Sequence, residues 1–276
     1  MWIQTLSSRQ PQGGGRFVQC PYGFDARHIL CHASLTQQVR GAIVAFGCVK
    51  THARIITLIG CPLGIIERML TRYHIEILLN ALGEHFSPRA LSAITNANIY
   101  QDGLSGLFGH DEYHCDNNAF EKTYAYMEEQ RALVVSSLRS GDADSAWGAF
   151  GRFLHSAQDF YAHSNYITLW LARFDGQTPP PSSKVDPVDS TLIQSPDLRS
   201  GKVYYPFEFL YYYRKTRNFS LRYLPHDSHA WMNLDSPEQG FKFDYAMQAA
   251  IKRTVIEYDK TTSDFSQEMC MLFLDK

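Results

Sequence analysis

Three side chains of the types that bind metal ions recur at every fourth position in the segment FLHSAQDFYAHSNY, which spans residues 153–166. In an α-helix, four residues advance only about 40° past one full turn, so His155, Asp159 and His163 project from one face. The flanking residues are aromatic or apolar, which indicates that this helix is buried. Because a buried polar face needs partners, other helices must surround it.

The pattern after about residue 66 favours helices. Apolar residues recur at spacings of three and four over residues 65–78, as an amphipathic helix requires. Ser87-Pro88 predicts the N-cap and first turn of a second helix. Alternating strand patterns are scarce, so we predict an all-α fold, a multi-helix bundle with a metal site in its centre. Further helices are predicted at about residues 119–138, 144–171 and 241–259.

Pro and Gly residues, which interrupt helices and strands, mark the predicted domain boundaries. Residues 1–25 contain Pro and Gly and predict a flexible N-terminal arm, followed by one α-helical domain over residues 26–276. Within that domain, residues 26–66 fit either helices or strands. A Pro/Ser-rich loop or insertion is predicted at about 174–200, and the Tyr-rich segment 203–215 predicts a short strand or loop.

Composition excludes several classes of protein. Hydrophobic residues make up 45% of the 276, enough for a substantial core, and the net charge is -2. The sequence has no block of Lys and Arg, so binding to duplex nucleic acid is not expected. No transmembrane segment or secretory signal is expected either. The six cysteines form no CxxC pair, so we expect reduced thiols in a soluble, cytoplasmic protein. The oligomeric state is left open.

A second group of polar residues lies in HDEYHCDNNAF, residues 110–120. Acidic residues are favoured at a helix N-terminus by its dipole, but that does not explain two histidines. His114 and Asp116 are therefore candidate ligands, and His110 is a weaker one.

The order of four short motifs resembles the Het-C family of the fungal heterokaryon-incompatibility protein, over about residues 66–260. The motifs are H-x-x-I-x-x-x-A-L, F-S-P-x-A-L-x-x-I-x-x-A-N-x-x-x-D, H-x-D-N and L-H-x-x-Q-D-F-Y-A-H-S-N. That family is similar to the zinc-dependent phospholipase C and single-strand nuclease superfamily. The resemblance implies an all-α bundle with up to three zinc ions that hydrolyse phosphodiesters. By position, the implied ligands are His74, Asp102, His114, His155, Asp159 and His163.

The downstream segment HDSHAWMNLDSP, residues 226–237, also resembles Het-C proteins. It implies that His229 is a ligand or orients one and that Asp235 supports the site, with His226 a weaker candidate.

Two features of this sequence depart from the phospholipase C and nuclease enzymes. Their N-terminal Trp ligand has no clear counterpart, since Trp2 follows Met1, and a late helical His is replaced by Arg253, four residues before Glu257. Arg stays protonated and cannot bind a metal, so one or two ions fit better than three.

The leading hypothesis is a zinc-dependent hydrolase, with another divalent metal as an alternative, acting on a phosphodiester or phospholipid-like substrate. Asp102 and Asp159 would also orient the nucleophilic water, and Tyr161, Tyr166 and Arg253 would bind a small-molecule or lipid substrate. The alternatives are a metal-assisted lyase or cyclase for a small apolar substrate and a non-catalytic interaction protein stabilised by metal. An open coordination position would favour an enzyme.

Overall fold

The structure, a computed structural model, describes residues 69–107, 109–213 and 215–276. The predicted N-terminal arm, the ambiguous segment 26–66, Trp2 and the first four cysteines lie outside the described residues.

The predicted all-α fold is confirmed, since the described residues form helices and no β-strand. Two isolated bridges, Ser164 with Ser200 and Lys202 with Ser228, join loops. Short 3-10 turns occupy Tyr100–Asp102, Ser182–Lys184 and Pro237–Gln239. The helices are α1 (Met69–Leu82), α2 (Pro88–Ile99), α3 (Leu104–Leu107), α4 (Asp111–His114), α5 (Phe120–Arg139), α6 (Ala143–His163), α7 (Tyr166–Ala172), α8 (Ser190–Ile193), α9 (Phe207–Tyr211), α10 (Arg217–Leu221), α11 (His229–Met232), α12 (Lys242–Thr262) and α13 (Gln267–Leu274).

Helix α6 lies at the centre and packs against α2, α5 and α12. Its N-terminal half buries Trp147, Phe150 and Phe153 in the main hydrophobic core. At Gly151 the backbone of α2 approaches so closely that an added Cβ would lie 2.2 Å from the Ile94 carbonyl oxygen. Glycine at this position therefore allows α2 and α6 to pack closely and brings the end of α2 near the C-terminal half of α6.

The prediction that the central helix continues to about residue 171 is wrong, because α6 ends at His163. Ser164 is extended, with φ -106° and ψ 167°. Its hydroxyl donates to the Phe160 carbonyl at 2.5 Å and accepts from the Tyr166 amide at 3.3 Å. The apolar spacing continues through α7, which hides the break in the sequence. The break exposes the His163 carbonyl to the Gly201 amide, 2.9 Å away.

The helix ends show where local patterns predict structure well and where they do not. Ser87 caps α2 as predicted, since its Oγ accepts from the Ala90 amide at 3.1 Å. The Tyr-rich segment predicted as a strand or loop instead contains α9. The β-propensity of its aromatic residues is overridden by packing against one another. Helix α13, at the C-terminus, was not predicted.

No helix in the described parts of the chain combines the length and apolar character needed to span a bilayer. Of the two described cysteines, Cys115 is free and buried, whereas Cys270 is disulfide-bonded. The prediction of reduced thiols is therefore wrong at Cys270.

Candidate metal centre

The C-terminal half of α6 meets imidazoles and carboxylates from several other elements. His74 comes from α1, Asp102 ends the 3-10 turn after α2, and His114 ends α4. His155, Asp159 and His163 of α6 are all buried, as their spacing predicted. The structure thus brings together all six residues that the sequence analysis placed first among the ligands.

Asp159 lies at the centre of this cluster and is only 2% exposed. One carboxylate oxygen, Oδ1, is 3.2 Å from His74 Nε2. The other, Oδ2, is 3.0 Å from His114 Nδ1 and 3.0 Å from His155 Nε2. The two imidazole nitrogens that face Oδ2 are 3.1 Å from each other.

Asp102 approaches the same imidazoles with a second carboxylate. Its Oδ1 is 3.6 Å from His155 Nε2 and its Oδ2 is 3.9 Å from His74 Nε2. Two overlapping groups result, His74 with Asp102 and His155, and His114 with His155 and Asp159. Within each group the potential ligand atoms all lie within 4.8 Å of one another.

His163 belongs to a neighbouring group, with Asp116, His229 and Asp235. Its Nδ1 is 3.4 Å from Asp116 Oδ1 and its Nε2 is 3.2 Å from Asp235 Oδ1. His229 Nε2 is 3.9 Å from the other Asp235 oxygen. Asp116, His163 and His229 likewise place potential ligand atoms within 4.8 Å. Asp159 Oδ2, 4.0 Å from His163 Nδ1, lies between the two groups.

An unusual loop directs Asp116 into the cluster. Cys115, Asn117 and Asn118 have φ values of 59°, 53° and 57°, in the left-handed region that non-glycine residues rarely adopt. The two asparagine side chains hold the loop in place: Asn117 Oδ1 accepts from the Val203 amide at 2.9 Å and Asn118 Oδ1 from the Ser200 amide at 2.8 Å. Strained backbone that is held in this way clusters at functional sites.

Two histidines have a ring proton on Nδ1. His74 Nδ1 lies 2.7 Å from the Gln158 carbonyl oxygen, and His163 Nδ1 lies 2.8 Å from the His114 backbone carbonyl. Each of these oxygens can only accept, so Nδ1 of these two rings carries a proton. His229 Nδ1 lies 3.3 Å from Glu208 Oε1 and also 3.3 Å from the Tyr212 hydroxyl, which can donate or accept.

The charges in the cluster shift one another's pKa. Burial lowers the pKa of His74, but Asp159 and Asp102 outweigh it and raise that pKa to about 9. For His155, burial prevails and lowers the pKa. Burial raises the pKa of Asp159, but His155, His163 and His74 reverse this and hold it well below its usual value. Asp159 is therefore ionised, and the facing imidazoles compete for protons that a divalent cation would replace.

The donor set fits a divalent metal. Imidazole nitrogens and carboxylate oxygens are the usual ligands of zinc and related ions. Four of the cluster's buried polar atoms have no hydrogen-bond partner, and buried polar atoms ordinarily have one. These atoms are Asp102 Oδ2, His114 Nε2, Asp116 Oδ1 and His155 Nδ1.

A pocket adjoins the cluster. His74, Asp159 and Asp235 provide its charged side. Most of the remaining wall is apolar and comes from α1, α12 and Leu234. Asp159 of the first group and Asp235 of the second therefore both face this space.

The three residues predicted to bind substrate use their polar groups in the scaffold. Tyr161 and Tyr166 donate their hydroxyl protons to the Pro187 and Asp186 carbonyls, at 2.5 and 2.6 Å. Arg253 Nε donates to Glu257 Oε1 at 2.5 Å. None of the three lines the pocket, so we assign them no contact with a substrate.

Two weaker candidates lie apart from the cluster. His110 pairs with Glu112, and His226 is exposed and packs on Trp231. The sequence analysis also missed two partners of ligands, Gln158 and Glu208. Gln158 lies within the motif that identified α6 and precedes Asp159, which was a usable signal. Glu208 stands in the Tyr-rich segment, and no local pattern points to it.

The fold and site define a helical protein whose central helix carries a buried cluster of imidazoles and carboxylates. Residues 73–188 match the family described as the VWA7 N-terminal domain. The matched segment contains the α1, α4 and α6 members of the cluster, whereas His229 and Asp235 follow it. Comparisons with curated proteins and with solved structures found no match.

This match corrects the resemblance drawn from the sequence motifs. The family found over the motif-bearing segment is the VWA7 N-terminal domain and not Het-C or its phospholipase C and nuclease relatives. The motifs misled because they are short and because helical geometry alone imposes the spacing of four residues between ligands on one face.

Proposed function

We propose that this protein is a metal-dependent hydrolase, with zinc as the first candidate cation and a phosphodiester as the substrate class. One observation carries the proposal: a buried cluster of imidazoles and carboxylates, whose potential ligand atoms converge within 4.8 Å, forms one side of a largely apolar pocket. A pocket with converging polar groups is the usual setting of an active site.

The residues support two cation positions, and Asp159 belongs to the first. His74, Asp102, His114 and His155 would hold the first. Asp116, His163, His229 and Asp235 would hold the second. Two positions agree with the expectation of one or two ions rather than three.

A bound divalent cation would lower the pKa of a coordinated water and stabilise negative charge on a phosphoryl oxygen. The protein's own carboxylates would position the water. Asp159 stays ionised at neutral pH because the surrounding imidazoles lower its pKa. Asp235, whose pKa is also held low by His163 despite its burial, faces the pocket and would accept a hydrogen bond from the attacking water. Asp102 would also orient the water.

The pocket favours a substrate with an apolar part next to the reacting group. Ile77, Leu234 and Phe243 lie on the pocket wall together with Asp159. A small molecule or a lipid with an apolar substituent fits this wall. The same wall supports a second candidate, a metal-assisted lyase or cyclase for a small apolar substrate.

Hydrolysis of bis(p-nitrophenyl) phosphate tests the proposal. Protein stripped with chelator should be inactive, should recover activity when zinc is added and should lose it again in Asp159→Asn. Asp144→Asn is a matched control, because Asp144 is an exposed carboxylate near the start of the same helix.

Turnover that persists in chelator, or that is equal in the two variants, would contradict the proposal. Zinc binding without turnover of phosphodiesters would favour the lyase. If the wild type bound zinc and Asp159→Asn lowered only thermal stability, with no turnover to lose, the metal would be structural.

A further inference from the structure

We propose that Gln158 and Glu208 are positioning residues that fix the rings of His74 and His229, so that Nε2 of each points at its cation position. The inference rests on the proposed function, because it assigns these two residues a role toward the metal. Partners of this kind fix the tautomer and orientation of metal-binding histidines.

The orientation of the Gln158 amide is determined by its other contacts. Thr254 Oγ1 donates its proton to the Ala250 carbonyl at 2.8 Å, so it can only accept from Gln158 Nε2, 3.2 Å away. Asn98 Nδ2 donates to Gln158 Oε1 at 3.3 Å. The carbonyl oxygen of Gln158 therefore faces His74.

This orientation requires a proton on His74 Nδ1. Nδ1 donates to Gln158 Oε1 at 2.7 Å, which leaves Nε2, the nitrogen that faces Asp159 Oδ1, to bind a cation in place of its own proton. Gln158, Asn98 and Thr254 are all buried.

Glu208 has the same relation to His229 in a different part of the fold. This buried carboxylate of α9 accepts from the Ala230 amide through Oε1 at 2.6 Å. The same oxygen is 3.3 Å from His229 Nδ1, which also lies 3.3 Å from the Tyr212 hydroxyl. The backbone amide fixes the position of the carboxylate, and the carboxylate in turn orients the ring. A burial-driven packing role does not explain a carboxylate here, since an apolar side chain would be easier to bury.

Zinc affinity, measured by competition with a chelating dye, tests the proposed role of Gln158. Gln158→Leu removes the acceptor and should weaken binding by about 10–100-fold. Gln158→Glu keeps an acceptor for His74 and should preserve binding. The matched control is Gln130→Leu, because Gln130 is also buried but accepts from Arg152 on the side of α5. The control should bind zinc as the wild type does. Glu208→Leu and Glu208→Gln form the corresponding pair at His229.

Long-range 1H–15N NMR of the histidine rings shows which ring nitrogen carries the proton. A residue that only stabilises the fold would not determine this. In the zinc-loaded wild type, Nδ1 of His74 and His229 should carry the proton and Nε2 should not. Equal affinity in Gln158→Leu and wild type, or a proton on Nε2, would overturn the inference.

Failure of the proposed function gives a different result. If the wild type binds no zinc, the function fails, while the Nδ1 proton of His74 in metal-free protein still decides the role of Gln158. A hydrogen-bonded, slowly exchanging Nδ1 proton supports positioning, and its absence in the wild type refutes it. The same NMR measurement applies if Gln158→Leu does not fold.

Discussion

The molecule has two buried charged clusters, one around Glu257 and one around Asp159. They differ in how completely their polar atoms are hydrogen-bonded. In the network of Arg131, Arg253 and Glu257, each Glu257 oxygen accepts from a guanidinium at 2.5 Å. Arg131 also donates to Thr261 Oγ1 at 2.7 Å. In and beside the cluster around Asp159, by contrast, four nitrogen or oxygen atoms have no hydrogen-bond partner and imidazole nitrogens face one another.

The difference separates a structural role from a role in binding. A buried ionic network stabilises a fold only when its members satisfy one another. The arginine network meets this condition with protein atoms alone. The Asp159 cluster does not, and its imidazoles and carboxylates are the ligand types of the proposed metal site. The comparison predicts that changes in one cluster alter metal binding and that changes in the other alter stability only.

The largest expected effect is on metal content in His155→Ala. This change removes an imidazole shared by two of the ligand groups, so the purified variant should lose at least one zinc ion. It should also melt at a lower temperature, since a ligand at about 100 times its Kd contributes about 2.7 kcal/mol to stability. Elemental analysis and thermal melting measure both. His110→Ala, at the histidine paired with Glu112, serves as control, and equal zinc content in the two variants would contradict the comparison.

Glu257→Gln should lower the free energy of unfolding without changing metal content. The variant leaves Arg131 and Arg253 without their shared carboxylate, and breaking a buried ion pair costs about 3–5 kcal/mol. Denaturant unfolding gives this value. Arg253→His should destabilise the protein as well and should add no metal. A gain of zinc in that variant would show that Arg253 belongs to the metal centre.

The same carboxylate should contribute to the pH dependence of stability. Burial raises the pKa of Glu257, but Arg253 and Arg131 outweigh it and hold the pKa below its usual value. The folded state therefore binds this proton less readily than the unfolded state. The contribution is present above the unfolded pKa of about 4.3 and is lost as the pH falls through the folded pKa. Unfolding at several acid pH values should show a flatter acid limb in Glu257→Gln; equal slopes would contradict the ion pairing.

The smallest effect is expected for Tyr166→Phe. The hydroxyl donates to the Asp186 carbonyl and accepts from the Asp189 amide at 3.1 Å. Its loss should cost about 1 kcal/mol of stability and leave catalytic activity unchanged. A selective rise in KM would restore the substrate-binding role that the sequence analysis predicted.

Local patterns predicted the parts of the site that lie on one helix. The spacing of His155, Asp159 and His163 required a shared face, and the structure places all three in the cluster. The contribution of Glu208 depends on a contact with His229, 21 residues along the chain, between two short helices. No periodicity encodes such a contact. The end of α6 was also missed, because the Ser164 break interrupts the backbone without interrupting the apolar spacing.

Calorimetric titration of zinc into chelator-stripped protein tests the central claim most directly, with Asp159→Asn and Asp144→Asn measured in parallel. The account predicts saturable binding of one or two ions per chain in the wild type and in Asp144→Asn. It predicts loss of at least one ion in Asp159→Asn, because the Asp159 oxygens lie within 3.2 Å of all three imidazoles of the first cation position. Absence of binding in the wild type, or equal binding in the two variants, would contradict it.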